Sequence, residues 1–334
     1  MIIRSKAPFR ISFGGGGTDV PPYCWDYGGV VVSTTIDKYT FVTLKTNNTH
    51  KISIHSIDFG LRESFTLGRL EYNGNLDLVK AVINEYEVKE GFDLVIHADA
   101  PPRSGMGTSS CLAVALIGCL NELTGRQMNV KEIAELAYHI EREELKEKGG
   151  YQDQYAAAFG GFNFMEFNKK GVKITPLNLS AEILNELEYR LLLFYTGTTR
   201  FSSKIHEDMA KNYEEKQEDY CEALHGLKRI ADDMRRCLVE ENLSEFGELL
   251  HHGWILKRKL SKEISNSEID KLYDVARKKG AVGGKLLGAG GGGHLLLFCE
   301  PDKRFDVIQS MNECGVKFVP FRFESKGLQT WRVK

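Results

Sequence analysis

Pro101-Pro102-Arg103-Ser104-Gly105-Met106-Gly107-Thr108-Ser109-Ser110 is the stretch from which the rest of the chain can be read. A strand-like run, Phe92-Asp93-Leu94-Val95-Ile96, leads into it, and a long apolar run, Cys111-Leu112-Ala113-Val114-Ala115-Leu116-Ile117, leads out as a buried helix. A glycine turn that opens a helix leaves backbone N–H groups unpaired and converging on one spot, and the helix dipole favours negative charge there. Thr108, Ser109 and Ser110 stand at the helix start, where hydroxyls can bond phosphate oxygens or a phosphate-bound metal ion. The same hydroxyls could serve only as an N-cap. A cap needs one hydroxyl, whereas three behind two glycines favour a phosphate site.

Two better-known phosphate motifs do not account for this stretch. A P-loop requires Gly-x-x-x-x-Gly-Lys followed by Ser or Thr. The run from Gly280 to Lys285 is one spacer short and is followed by Leu286. Gly288, Gly290 and Gly293 match Gly-x-Gly-x-x-Gly, but His294-Leu295-Leu296-Leu297-Phe298 follows them and reads as a strand, not the helix of a dinucleotide fold.

A length of 334 residues with 42% hydrophobic content suits two globular domains. A net charge of −2 lacks the basic excess of a nucleic-acid binder. Seven cysteines without CxxC or CxxH spacing suit free thiols in a reducing cytoplasm. The start of the chain has no signal-peptide core, and no apolar run approaches the 18 or so residues of a membrane span. Residues 1–100 read mainly as strands with a helix near 76–86, and 111–147 as helical. Residues 156–168 pass from helix through a glycine turn to an edge-like strand, and 189–195 form another strand. Residues 203–279 are charged and helix-periodic, and strands return at 293–298 and 316–323. This order predicts an α+β protein of two lobes, 1–175 and 176–334.

Four further segments carry chemistry-bearing residues. In the first, a strand bearing Arg10 runs into Gly14-Gly15-Gly16-Gly17 and then Thr18-Asp19. Asp19 could accept sugar hydroxyls or cap a turn. In the second, Gly149-Gly150-Tyr151-Gln152-Asp153, the aspartate precedes an alanine-rich helix and could be a plain N-cap. Glu141 lines up with Ile133, Ala137 and Leu145 on an apolar stripe and has no basic residue three or four positions away. It is a candidate metal ligand or buried ion-pair partner, or else a stripe edge that reaches water. The last segment, Lys285-Leu286-Leu287-Gly288-Ala289-Gly290-Gly291-Gly292-Gly293-His294, holds more glycines than a turn requires. Close approach to another backbone or a ligand explains them, and His294 reads as a packed or surface histidine.

In this order, these segments resemble the GHMP kinase superfamily, whose three motifs match residues 9–19, 101–111 and 287–293. The wording Ala-Pro-Phe-Arg-Ile-Ser-Phe-Gly-Gly-Gly-Gly-Thr-Asp with Gly-Gly-Tyr-Gln-Asp-Gln-Tyr is most similar to the bacterial D-glycero-D-manno-heptose 7-phosphate kinases. Met106 and Thr108 replace a common Leu and Ser, and Ser110 and Cys111 replace usual alanines. The resemblance implies an N-terminal ATP-binding lobe related to ribosomal protein S5 domain 2, a ferredoxin-like C-terminal lobe, and an active site between them.

It further implies that Gly105, Gly107, Thr108, Ser109 and Ser110 wrap the ATP phosphates. Ser109 and Glu141 would hold Mg²⁺, Asp153 would take or orient the proton of the sugar hydroxyl, and Arg10 would pair with Asp153 and stabilise the transferring phosphoryl group. Gly288, Gly290, Gly291 and Gly292 would shape the nucleotide site. Gly17, Thr18 and Asp19 are expected at the sugar. For a phosphate on the sugar, Arg103 and the helix-opening segment with Arg200 and Lys204 are candidates, the latter being equally readable as a capped helix start with surface cations. The expected activity is ATP-dependent phosphorylation of a sugar phosphate at its anomeric hydroxyl, in the cytoplasm, on the way to GDP-heptose for surface polysaccharide. A kinase for a free sugar such as fucose or galactose, and a sensor that binds without catalysis, are the alternatives.

Overall fold

The computed structural model describes residues 1–198, 202–215 and 218–334. The first half runs β1 (Ile2–Gly14), α1 (Tyr23–Tyr27), β2 (Gly29–Thr46), β3 (Lys51–Ser56), β4 (Leu61–Thr66), α2 (Asp77–Asn84), β5 (Phe92–Ala98), α3 (Thr108–Thr124) and α4 (Val130–Tyr138). A π-helical turn, His139–Glu144, follows, then α5 (Gln152–Phe159), β6 (Asn163–Asn168) and β7 (Gly171–Pro176). The second half runs α6 (Ala181–Arg190), β8 (Leu191–Tyr195), α7 (Ser202–Glu214), α8 (Glu218–Val239), α9 (Leu243–Arg258), α10 (Ser267–Lys278), β9 (Ala281–Leu286), β10 (His294–Cys299), α11 (Arg304–Glu313), β11 (Lys317–Phe318), β12 (Phe323–Glu324) and β13 (Gln329–Val333).

Two sheets organise these elements. The larger has the strand order β13-β1-β2-β5-β3-β4, with β12 and β6 also on β2 and β7 beyond β6. The smaller is antiparallel, β11-β8-β10-β9. β1 shows how sequence sets orientation. Ile3, Ala7, Phe9, Ile11 and Phe13 alternate onto the core face and are buried, so the even positions Arg10 and Ser12 turn to the other face.

On that core lies α3, whose residues from Ala113 to Leu120 are buried all round. A helix apolar on every side needs cover on every side. The large sheet supplies one side, and α2, α4 and α5 supply the others. The small residues Ala156, Ala157 and Ala158 let α5 approach closely. A single apolar cluster continues from this core through Ile230, Ala231 and Met234 of α8 and Phe246 and Leu250 of α9 to Leu296 and Phe298 of β10. A second lies around Trp254, Phe194 and Leu297.

The structure departs from the sequence expectations in four places. The helical stretch 111–147 breaks at Gly125, which adopts φ +73°, and again at the π-helical turn. β6 is interior, between β2 and β7, rather than an edge. The strand expected over 189–195 begins at Leu191, because Tyr189 and Arg190 complete α6. The strand expected over 316–323 divides into β11, on the smaller sheet, and β12, on β2 of the larger one. β13 then pairs along β1, so the end of the chain returns to the sheet that its beginning built. Among the described residues no helix is long and apolar enough to cross a membrane.

Candidate active site

A cleft of about 190 Å³ lies between the lobes, lined by the glycine turn after β1, the 101–110 turn, the π-helical turn, the start of α5, α9 and the 285–292 segment. At its centre the Arg10 guanidinium grips Asp153 with both sides: Nε donates to Oδ1 at 2.7 Å and Nη2 to Oδ2 at 3.1 Å. Nη1 donates to the carbonyl of Gly105 at 2.6 Å, which ties the pair to the glycine turn. Arg10 is only 3% exposed, and the Asp153 side chain retains 22% exposure toward the cleft. The N-cap of α5 is Tyr151, without a side-chain capping bond, so Asp153 is not a helix cap.

The N-terminus of α3 is likewise without a side-chain cap: its N-cap is Gly107, at φ +76°. The hydroxyls go elsewhere: Ser109 Oγ donates to Glu141 Oε1 and Ser110 Oγ to Glu141 Oε2, each at 2.7 Å. Gln154 Nε2 adds a third donor to Glu141 at 2.5 Å. Glu141 is fully buried, on the π-helical turn where Leu145 N–H bonds back five residues to the Ile140 carbonyl at 3.0 Å. Such turns reset side-chain phase within a helix, and this one aims Glu141 across the 101–110 turn. Thr108 lines the cleft beside Ser109.

Asp19 is 1% exposed. Its carboxylate accepts the N–H of Gly17 at 3.0 Å, the N–H of Gln152 at 3.1 Å and the Gln152 side-chain amide at 3.2 Å. Burial raises its pKa, while the two backbone N–H groups oppose the rise. Thr18 serves inside the protein: its one hydroxyl proton is shared between the carbonyls of Gly15 and Val30, at 2.8 and 2.9 Å, and its oxygen accepts from Val30 N–H, stapling the turn to β2. Gly17 and Arg103 line the cleft, Arg103 with φ +62°. Arg200 lies outside the described residues, as does the side chain of Lys204.

The third glycine segment packs backbone to backbone against the 101–110 turn. A Cβ on Gly288, at φ +72°, would lie 2.5 Å from Gly105 Cα, and one on Gly105, at φ +85°, would lie 2.5 Å from the Leu287 carbonyl oxygen. Gly290 and Gly292 line the cleft, and Gly291 N–H bonds to the Ile264 carbonyl at 2.9 Å. His294 is packed, 2% exposed, with its Nδ1 2.8 Å from the Ser104 carbonyl.

Residues 76–161 match the GHMP kinases N terminal domain and residues 234–317 the GHMP kinases C terminal domain. The chain is 37% identical to D-glycero-alpha-D-manno-heptose 7-phosphate kinase of Campylobacter jejuni, over 99% of both proteins. The chain belongs to the GHMP kinases. Among solved structures, a D-glycero-D-manno-heptose 1-phosphate kinase from Bacteroides thetaiotaomicron shares 32% identity with a TM-score of 0.84, each chain covered to 99%. Lactococcus lactis galactokinase superposes with a TM-score of 0.78 at 22% identity, over 98% of this chain and 95% of that one, a likeness of fold. As a GHMP kinase the protein uses ATP.

Sequence reasoning passed over two cations in this kinase's cleft. Lys257, near the end of α9, is 7% exposed, and its ammonium donates to the Gly288 carbonyl. Lys285, in β9, is 5% exposed and donates to the Phe13 carbonyl of β1 at 3.0 Å, joining the lobes. Burial and then the Arg10 charge push Lys257 down to about 8. Burial, then Lys257 and Arg10, push Lys285 well below the usual lysine range. Lys285 had one legible signal, a cation directly before a glycine-rich segment. Lys257 had none, because Lys257-Arg258-Lys259 reads as the solvated end of a charged helix.

Proposed function

We propose that the protein transfers the γ-phosphoryl group of ATP to the anomeric hydroxyl of D-glycero-D-manno-heptose 7-phosphate. This would supply GDP-heptose synthesis for surface polysaccharide, in the cytoplasm. The observation that carries the reading is the bidentate Arg10–Asp153 pair facing a glycine turn whose three hydroxyls do not cap the helix. The full-length relative named for heptose 7-phosphate supports the choice of sugar.

The residues divide the work. Backbone N–H groups of Gly105, Gly107 and the first turn of α3, with Thr108, Ser109 and Ser110, hold the triphosphate. Gly288, Gly290, Gly291 and Gly292 brace that turn from the other lobe. Arg10 fixes the Asp153 carboxylate so that its exposed edge meets the sugar hydroxyl, whose proton it accepts or orients. Asp19 and Gln152 form the adjacent wall, with Gly17 and Thr18 shaping the turn that carries Asp19. Arg103, Arg200 and Lys204 are the cations assigned to the phosphate on the sugar. Residues 1–175 are assigned as the ATP-binding lobe and 176–334 as the second lobe, whose last strands return to the first sheet.

The donor set also fits Mg²⁺. A hydroxyl and a carboxylate, Ser109 and Glu141, meet at the α3 N-terminus, and among the described residues no cluster of three or more His, Cys, Asp or Glu residues competes for an ion. Mg²⁺ commonly takes one or two protein oxygens and completes its shell with phosphates and water. Bound there, it would supply charge neutralisation at the phosphates.

The test is turnover of ATP with heptose 7-phosphate, the dephosphorylated heptose, L-fucose and D-galactose, with phosphorus NMR locating the new bond. The reading expects heptose 7-phosphate to have the highest kcat/KM and the new phosphate to be anomeric. Arg200→Ala or Lys204→Ala should lose activity on heptose 7-phosphate by about 2–5 kcal/mol for a buried contact, or about 1 kcal/mol at a rim, and lose little on the free heptose. Preference for a free sugar would refute the assignment. Binding of both substrates without turnover would make the protein a sensor.

A further inference from the structure

We propose that Lys257 is a second cationic contact for the transferring phosphoryl group, acting beside Arg10 from the opposite lobe. The proposal rests on the kinase reading of this cleft but not on which sugar is used.

The Lys257 ammonium is held at the Gly288 carbonyl, and Gly288 lies directly against Gly105, whose carbonyl receives Arg10 Nη1. Arg10 therefore reaches the 101–110 turn from β1, and Lys257 reaches it through the 285–292 segment. Its three N–H donors meet one protein acceptor, and among the described residues neither Lys257 nor Lys285 has an ion-pair partner. The charged groups that face Lys257 are Arg10 from β1, Asp153 from α5, Asp19 from the glycine turn and Lys285 from β9. Arg10 and two buried lysines thus share two carboxylates, and Asp153 is already committed to Arg10.

A buried ammonium without a counter-charge is costly, and proteins that keep one generally use it. What this cleft lacks is an anion. One polar atom agrees: the Ser12 hydroxyl, which can donate to an anion, is buried without a partner and its residue lines the same cleft. A phosphoryl group lying between Asp153 and the 105–107 turn would bring the missing negative charge within reach of the free Lys257 N–H groups. Lys285 is placed differently. Its ammonium is held at the Phe13 carbonyl of β1, whereas that of Lys257 is held at Gly288, directly against the 105–107 turn, so Lys257 is the lysine placed at that turn. As the phosphoryl leaves ADP, its bond to the bridging oxygen breaks and the bond to the sugar oxygen forms, with the sugar proton passing toward Asp153. Lys257 changes no bond and neutralises charge on the oxygens in flight.

The experiment compares wild type, Lys257→Met, Lys257→Arg and the exposed neighbour Lys259→Met, using whichever sugar wild type turns over best. Lys257→Met should lower kcat about 10²–10³-fold while KM for ATP and sugar moves less than about 3-fold, and Lys257→Arg should recover at least about tenfold of that loss, as expected for a charge-neutralising contact. In calorimetry, Lys257→Met should bind ADP as wild type does but lose the tightening that aluminium fluoride and sugar add, because that complex mimics the phosphoryl in transfer. Wild-type kcat/KM should fall above about pH 8 as the ammonium loses its proton, and Lys257→Arg should move that alkaline limb upward. Lys259→Met should match wild type. Should Lys257→Met fail to fold, the Lys257→Arg pH profile decides. A kcat for Lys257→Met within about 3-fold of wild type, a loss borne wholly by KM, or an unmoved limb in Lys257→Arg would overturn the proposal. Absence of turnover by wild type with every sugar would instead remove the kinase reading.

Discussion

Breaking the Arg10–Asp153 pair tests whether the cleft is held by that contact or merely contains it. Consider Arg10→Met, Asp153→Asn and the double variant. Arg10→Met leaves a carboxylate without its two donors and also deprives the Gly105 carbonyl of its partner. Removing one member of a buried pair costs about 3–5 kcal/mol. Asp153→Asn keeps shape and one acceptor, so about 1–2 kcal/mol is expected from the weakened bond to a charged donor.

The double variant should cost less than the sum of the two, and the shortfall is the coupling energy. Two charge-assisted bonds, the one from Nε short, with Arg10 3% exposed, argue for a large value. The 22% exposure of the Asp153 side chain admits water and pulls it down. About 2–3 kcal/mol is therefore expected. Urea unfolding followed together by tryptophan fluorescence and circular dichroism gives the four free energies, provided the two transitions coincide. Additivity within about 0.5 kcal/mol would show that the pair contributes nothing beyond its separate environments and would refute this account of the site. Asp153→Asn should also lower kcat by about three to four orders of magnitude while ATP binding persists, and near-normal turnover would remove Asp153 from the chemistry.

Two further outcomes follow from the same geometry. Glu141→Gln and Ser109→Ala should raise the Mg²⁺ concentration needed for half-maximal activity by about 10-fold or more, the range seen when metal-supporting groups are lost, with partial rescue by excess Mg²⁺; unchanged Mg²⁺ titrations in both would place the ion elsewhere. Gly288→Ala forces a side chain onto a residue at φ +72° and into the Gly105 backbone, so a cost of about 1–3 kcal/mol from the backbone conformation alone, with added overlap, should appear as a lower melting temperature and a raised KM for ATP. A wild-type melting curve with normal KM would show that the two glycine segments are free to separate.

How much of this could be read from sequence depends on whether the signal is local. The glycine turn before α3, the apolar run that makes α3 buried on all sides, and the strand that carries Arg10 into four glycines are local patterns, and they appear in the structure where the sequence places them. So do the three family segments, because a backbone that must approach another backbone tolerates only glycine there. Asp153 and Glu141 were ambiguous for a physical reason. A carboxylate at a helix start, or on a helix stripe, looks the same in sequence whether it caps, faces water or meets a partner far along the chain. The partners lie 143 residues away for Arg10 and Asp153 and 32 for Ser109 and Glu141, and tertiary structure alone supplies them.

The same reason governs what the sequence missed or misplaced. Lys257 lies in a charged run that any exposed helix end shows, and its partner Gly288 lies 31 residues away along the chain. Thr18 stands in a motif expected at the sugar, yet its hydroxyl closes the turn onto β2, a strand that the glycine turn itself brings near. The last strands read as a continuation of the second lobe, but their pairing partners are β1 and β2, laid down some three hundred residues earlier. Local patterns thus marked the glycine turns, the buried helix α3 and the family of this chain. The long-range closure of the sheets and the burial of charge between the lobes decided which of its polar residues face one another.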